Sequence, residues 1–263
     1  MNPLIRFKDN CKDIWENRNV LMALIRRNTA GRYKNTFVGF GWHLLNPILL
    51  ILVMDLVFGT IRPRPVEDFW IYLSAGMFPV SFMSGCLRGN AITSSANYIK
   101  KMHFPAEIAV LANVIAQFLA LIFAYLVIII VILSYGQPVN WFGMGMLIVE
   151  LILMFFFAVG CSMLISTATV FVKDIGNLAS IIMRLVIWVT PTFFFVDEAK
   201  GILATIVWFN PFTYFVEVFH DVLYYQMFPE MFFVGMSALL ALCAMIIGWT
   251  FMNHFKDRFP EVL

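Results

Sequence analysis

The hydropathy pattern along the chain consists of long apolar segments separated by short polar ones. A transmembrane helix needs about 20 mostly apolar residues, each adding 1.5 Å of rise. Six segments satisfy this requirement, and they cover residues 41–61, 69–92, 106–134, 141–172, 175–196 and 231–252. The pattern therefore predicts an all-α membrane protein with six transmembrane helices.

The pattern changes between the fifth and sixth segments. Residues 202–209 are apolar but too few to cross a bilayer, and Asn210-Pro211 interrupts the run. The next residues suit a helix with four polar side chains at helical spacing on one face: Glu217, His220, Asp221 and Tyr224. We predict a pair of short re-entrant or interfacial helices at 202–228. A seventh crossing here would move the C-terminus to the other side of the membrane.

The first 40 residues contain no span but show an apolar stripe at helical spacing, formed by Leu4, Phe7, Cys11, Ile14, Leu21 and Ile25. Basic residues occupy the other face. This arrangement predicts an N-terminal amphipathic interface helix that lies on an anionic inner leaflet, and docking on a partner protein is equally compatible with it. The chain thus divides into a cytoplasmic interface segment, 1–40, and a transmembrane domain, 41–263, with no cleavable signal peptide expected.

The composition requires a lipid environment. Hydrophobic residues make up 61% of the chain and charged residues 13%, whereas a soluble domain has roughly 45–50% and about 25%. The mean hydropathy is +0.84. One water-facing core cannot bury such a surplus of apolar side chains. The four cysteines are far apart in the sequence, so we expect free thiols and neither a disulfide framework nor a zinc site.

The distribution of Lys and Arg predicts the orientation. Thirteen of these residues lie in the N-terminal segment, in the loops after spans two and four, and in the C-terminal tail. The opposite loops contain only Arg62, Arg64 and Lys200. Positive charge in short loops marks the cytoplasmic side. We therefore expect a multi-pass protein of the cell inner (plasma) membrane with both termini in the cytoplasm.

Four charged residues lie inside predicted spans, where charge is costly and points to pairing or function: Asp55, Arg88, Glu150 and Arg184. Arg88 is close enough to its span end for the side chain to reach the interface. Glu150 and Arg184 lie on consecutive spans at depths that differ by only about 4 Å, from the helix rise. They form either a structural ion pair or charges that line a channel.

The chain has no catalytic or nucleotide-binding motif. It lacks HExxH, GxSxG, GxGxxG and the phosphate-binding GxxxxGK[ST], so we expect no catalytic, cofactor or metal site in it and no nucleic-acid partner. If the protein pumps a substrate, the energy must come from another chain or from an ion gradient. A membrane-embedded glycosyltransferase is a weaker alternative, because the acidic group Glu217, His220 and Asp221 has no second partner motif.

Aromatic residues make up 16% of the chain. Many of them cluster near the predicted outer face: Trp188, Phe193, Phe194, Phe195, Trp208, Phe209, Phe212, Tyr214 and Phe215. An interfacial aromatic belt explains such a cluster. The alternative is a set of stacking faces for sugar rings, and for that role the channel or gate candidates are Trp188, Phe193, Tyr214 and Glu217.

Six segments together resemble one family, the transmembrane subunits of type-2 ABC exporters for polysaccharides and teichoic acids. They are residues 32–47 (RYKNTFVGFGWHLLNP), 99–105 (IKKMHFP), 171–175 (FVKDI), 188–191 (WVTP), 210–211 (NP) followed by Glu217, and 255–263 (FKDRFPEVL). Lys173 stands where the family motif has Arg. The segments follow in the family's order over nearly the whole chain.

The resemblance implies a homodimeric permease bound to two copies of a separately encoded ATPase subunit, which binds ATP and Mg. It also implies that the loop after span two couples to the ATPase through Tyr98, Lys100, Lys101, Met102 and Phe104. Lys100 and Lys101 would supply charge and the others apolar anchors in an ATPase groove. The short helices before span six would cap the channel on the outside.

The implied substrate is a polysaccharide on an undecaprenyl diphosphate carrier, of the O-antigen, wall teichoic acid or capsule type. A type-2 exporter of drugs or small lipids is the alternative within transport. It would share the topology but usually lacks the RYK…GW and NP…E segments.

Overall fold

In the computed structural model of the protein, the described residues are 12–30, 41–42, 45, 48–49, 52–53, 56–57, 60, 68–96, 98–99, 104–134, 136 and 139–262. No β-strand occurs in these ranges. The α-helices with described bounds are α1 (Arg18–Ala30), α2 (Phe69–Cys86), α3 (Ala106–Ser134), α4 (Trp141–Phe171), α5 (Asp174–Val189), α6 (Ile202–Phe209), α7 (Pro211–Leu223), α8 (Met231–Phe255) and α9 (Phe259–Val262). The all-α prediction is confirmed.

Four helices in the described part of the chain, α2, α3, α4 and α8, are long and apolar enough to cross a membrane. The number rises to five if the bent pair α6–α7 is one span. The predicted first span, 41–61, is described only at some positions, and those from 42 to 60 are helical. The predicted third and fourth spans match α3 and α4 within one residue. The count of six crossings stays a prediction.

Helix α5 is shorter than the predicted fifth span, 175–196. It ends at Val189 after 16 residues, because Thr190 takes an extended conformation before Pro191. A residue before proline disfavours the helical region, and proline cannot donate the next helical hydrogen bond. Sixteen residues rise about 24 Å, which is less than the ~30 Å hydrocarbon core. Helix α5 is therefore shorter than the core by about 6 Å.

Helix α2 also ends early, at Cys86, although the pattern extended this span to residue 92. The chain turns through Gly89, whose φ of 73° lies in the left-handed region that favours glycine. A Cβ at this position would lie 2.8 Å from the Gly176 Cα atom. The turn therefore packs directly against the start of α5 and allows no larger residue.

Helices α4 and α8 form the closest helix pair. Gly160 of α4 lies against Ala244 of α8, and Gly248 of α8 lies against the Gly160 backbone, so that a Cβ on either glycine would overlap the other helix. Small residues permit such close backbone approach between membrane helices. Helix α7 is enclosed beside this pair, with Phe215 and Phe219 fully buried.

Helix α1 lies on the start of α3. Leu24 and Ile25 pack against Phe104, Ile108 and Ala112 in a separate apolar cluster. At the same end, the Lys256 Nζ atom lies 3.4 Å from a Glu107 carboxylate oxygen, which ties the end of α8 to α3. The apolar side of this N-terminal helix is thus covered by the chain itself, whereas Leu4, Phe7 and Cys11 of the predicted stripe lie outside the described residues.

Candidate functional site

The bent pair α6–α7 is fixed by its corner at Asn210. The Asn210 Oδ1 atom accepts a hydrogen bond from the Phe212 amide (3.1 Å) and caps α7, and the Nδ2 group donates to the Thr190 hydroxyl (2.8 Å). Asn is a preferred N-cap residue, and Pro211 fits the first helical position. The two helices meet at 85°. The Asn-Pro sequence therefore sets the sharp return of the chain at this point.

A buried polar cluster joins α7 to α2. The His220 ring is fully buried and stacks on the Tyr72 ring with a centroid distance of 3.7 Å. The His220 Nδ1 atom lies 3.1 Å from the Glu217 Oε1 atom, and Nε2 lies 3.1 Å from the Tyr72 carbonyl oxygen. A Cβ at Gly76 would lie 3.1 Å from the Nε2 atom. Gly76 thus leaves the space in which the imidazole sits.

The imidazole of His220 makes two polar contacts inside the bundle. A carbonyl oxygen only accepts hydrogen bonds, so the Nε2–H group donates to Tyr72. The Nδ1 atom makes the contact to the Glu217 carboxyl group. Both ring nitrogens therefore have a partner, which offsets the cost of burying them.

The loop after α5 is attached to the same cluster. The Tyr72 hydroxyl donates to the Phe194 carbonyl oxygen (2.8 Å), and the Phe195 ring lies 4.6 Å from the Tyr72 ring. Nearby, burial and several acidic neighbours, including Glu217, raise the pKa of Tyr225 to about 12. Tyr72 thus connects α2, α7 and the loop after α5 at one end of the bundle.

The three aromatic gate candidates do not form one surface. Trp188 is 57% exposed, whereas Phe193 is buried and packs beneath it at a ring distance of 5.0 Å. The Tyr214 hydroxyl donates to the Trp208 carbonyl oxygen (2.7 Å), and its ring packs against Phe233 of α8. The Phe193 side chain is buried within this chain, and its role as a stacking face stays a prediction.

Glu150 and Arg184 lie at similar depths but differ in burial. Glu150 is fully buried, and neither of its carboxylate oxygens has a hydrogen-bond partner among the described residues. Arg184 lies on the exposed face of α5. The described residues therefore show no Glu150–Arg184 ion pair, and a channel-lining role of either charge stays a prediction. Arg88 is exposed beyond the end of α2, and Asp55 lies outside the described residues.

The predicted coupling residues differ in how far their side chains are buried. Tyr98 is 47% exposed, with the Arg27 guanidinium 5.2 Å above its ring. Phe104 is only 4% exposed because it packs under α1. The Phe104 side chain is covered by α1 in this chain, and its role as an anchor for a partner stays a prediction. Lys100, Lys101 and Met102 lie outside the described residues. Within the described ranges, no group of three or more His, Cys, Asp or Glu could hold a metal ion.

Comparison with known proteins agrees with this architecture. The family described as ABC-2 type transporter matches residues 19–224. The O-antigen export system permease protein RfbA of Klebsiella pneumoniae is 23% identical over 255 residues, covering 93% of this chain and 95% of its own length. RfbA of Myxococcus xanthus is 22% identical, with coverages of 95% and 96%. The capsule polysaccharide export inner-membrane protein CtrC of Neisseria meningitidis serogroup A is 26% identical, with coverages of 77% and 78%. The chain belongs to the ABC-2 type transporter family.

Proposed function

We propose that the chain is the permease subunit of an ABC exporter that moves a lipid-linked polysaccharide across the cytoplasmic membrane. The observation that carries this proposal is the similarity to two O-antigen export permeases along at least 93% of this chain. The similarity to a capsule export protein supports capsule polysaccharide as a second substrate class. In either case the carrier is undecaprenyl diphosphate, whose prenyl chain resides in the bilayer.

Two copies of the chain enclose the channel, and two copies of a separate ATPase subunit bind ATP and Mg²⁺. Each chain crosses the membrane six times with both termini in the cytoplasm, which the bias of Lys and Arg supports. Helices α6 and α7 are re-entrant at the outer face, since eight residues of α6 rise only about 12 Å. The exposed face of α5, with Arg184 and Trp188, lies toward the channel.

The chain alone is expected to hydrolyse no ATP, because its sequence contains no phosphate-binding loop. ATP hydrolysis should appear when the purified chain is combined with its partner ATPase. Phosphate release is the measurement, and a partner ATPase with an inactivated phosphate-binding lysine is the control. Hydrolysis by the purified chain above the level of a mock purification would contradict this expectation.

Among the described coupling residues, Tyr98 is exposed and Phe104 is not. Tyr98→Ala is expected to lower ATP-dependent export at least about fivefold. The reason is that exposed aromatic anchors of interfaces contribute more than 1 kcal/mol. The matched control is Tyr225→Ala. Tyr225 is similarly exposed, at 43%, but it precedes the start of α8, whereas the contact to Glu107 is at the other end of that helix. Export and thermal stability are measured for both variants. Equal export by the two variants would contradict the role of Tyr98.

Deletion of the gene tests the proposed function in cells. The lipid-linked polysaccharide should then accumulate on the cytoplasmic side and disappear from the cell surface. Surface staining before and after permeabilisation measures both pools, and expression of the intact chain is the control. Normal surface polysaccharide in the deletion strain, together with altered export of drugs or small lipids, would support the alternative transporter class.

A further inference from the structure

A polar cavity of about 340 Å³ lies between α1, the loop after α2, and α3. Its polar lining among the described residues is Arg27, Asn28, Asn90, Ser94, Asn113 and Gln117. Helix α1 packs on Ile108 and Ala112 of α3, so Asn113 and Gln117 lie one to five residues further along α3. The cavity therefore sits where the surface helix α1 ends and the apolar part of α3 begins.

The lining groups have unused hydrogen-bonding capacity. The Asn90, Asn113 and Gln117 side chains make no hydrogen bond within the described residues, and the Asn28 Oδ1 atom accepts from Arg27, which leaves the Asn28 amide group free to donate. Four carboxamides, one hydroxyl and one guanidinium supply many donors. No described lining residue is acidic. Such a set favours an anion with several oxygen acceptors, and a guanidinium suits phosphate in particular.

The polar cavity shares one lining residue with a mostly apolar groove. Gln117 also lines a second groove between α2 and α3, which includes Phe78, Phe82, Leu121 and Ala124. From Gln117 to Ala124 the groove runs about 10 Å along α3, from the helix rise. This is about two thirds of the ~15 Å depth of one leaflet of the hydrocarbon core. The combined site thus has one charged, polar end and one apolar arm that accommodates the upper part of an acyl chain.

We infer that this site binds an anionic phospholipid of the bilayer, with the phosphate in the polar cavity and one acyl chain along the α2–α3 groove. The amphiphilic shape favours a lipid over a soluble anion, and the Arg27 guanidinium matches a headgroup with one net negative charge. Basic pockets between membrane helices bind acidic headgroups in this manner. The inference does not depend on the proposed transport function.

Native mass spectrometry of the full chain in detergent tests the site, with phosphatidylglycerol and phosphatidylethanolamine as probes. Phosphatidylglycerol should bind at least about tenfold more tightly. Arg27→Gln should remove most of this preference, whereas Arg18→Gln should not, because Arg18 is on the same helix but outside the cavity. The two variants change the net charge equally, so a general effect of charge would weaken phosphatidylglycerol binding in both variants.

Further measurements distinguish loss of the site from a folding defect and from binding of other ligands. Asn113→Leu removes a polar group from the lining without a change of charge and should also weaken phosphatidylglycerol binding, with an unchanged melting temperature. Equal binding of the two phospholipids, or equal binding by wild type and the cavity variants, would overturn the inference. Displacement of phosphatidylglycerol by soluble glycerol 3-phosphate at similar concentration would show a phosphate site without a chain. Displacement by much less undecaprenyl diphosphate would instead assign the site to a lipid diphosphate.

Discussion

His220→Phe is expected to destabilise the protein strongly and to reduce export at least about tenfold. Phenylalanine retains the stacking on Tyr72 but removes both polar contacts of the imidazole. The buried Glu217 carboxyl group then loses its His220 partner, at a cost of about 1–3 kcal/mol. The melting temperature in detergent should fall by about 5 °C or more. Thermal unfolding and surface polysaccharide measure the two effects.

Glu217→Gln is the matched control for this prediction. In this variant the amide group donates to the His220 Nδ1 atom while Nε2–H still donates to Tyr72, so both contacts of the imidazole are kept. This variant should unfold close to the wild-type temperature. Glu217→Leu should behave like His220→Phe. If Glu217→Gln were as unstable as Glu217→Leu, the buried cluster would require the charge of Glu217 rather than its hydrogen bond.

Gly248→Leu is expected to prevent close packing of α4 and α8. The new side chain would occupy the position of the Gly160 backbone, which has no flexible group that could move aside. Overpacking of a well-packed core costs about 1–3 kcal/mol, and more where backbone must separate from backbone. The yield of folded protein should fall severalfold, and the remainder should melt at a lower temperature. Size-exclusion chromatography and thermal unfolding measure this.

Gly235→Leu is the control on the same helix. A Cβ at Gly235 meets no atom within 4 Å, and the residue is exposed. Both substitutions replace glycine by a better helix former, so the intrinsic helix propensity changes equally. Gly235→Leu should therefore leave the yield and stability unchanged. Comparable loss in both variants would mean that the contact between Gly160 and Gly248 does not hold the helices together.

The long helices could be predicted from the sequence because apolar runs and turn residues define them. The bounds of α3 and α4 agree within one residue, since both runs end at clear polar or turn signals. The end of α5 could also have been read from Thr190-Pro191, but the apolar residues beyond the proline made the predicted span seven residues too long. In this segment the backbone restriction of proline overrides hydropathy.

Contacts between helices could not be predicted, because a depth along a helix does not fix the direction of a side chain. Glu150 and Arg184 lie at similar depth, yet one is buried and the other is exposed. Residue type does not predict burial either, since Trp188 is exposed and the neighbouring Phe193 is buried. The contact between Gly160 and Gly248 could not be predicted either, because it joins distant parts of the chain.

Reconstitution of the chain with its partner ATPase in proteoliposomes tests the proposed function most directly. A lipid-linked polysaccharide is incorporated on the side of the ATPase, and its accessibility to a glycan-cleaving enzyme on the other side is followed after ATP is added. We predict ATP-dependent transfer that requires both proteins and stops with the inactivated ATPase. Transfer that proceeds without the ATPase, or ATP hydrolysis without any transfer of the polysaccharide, would contradict the assignment of this chain as a polysaccharide-exporting permease.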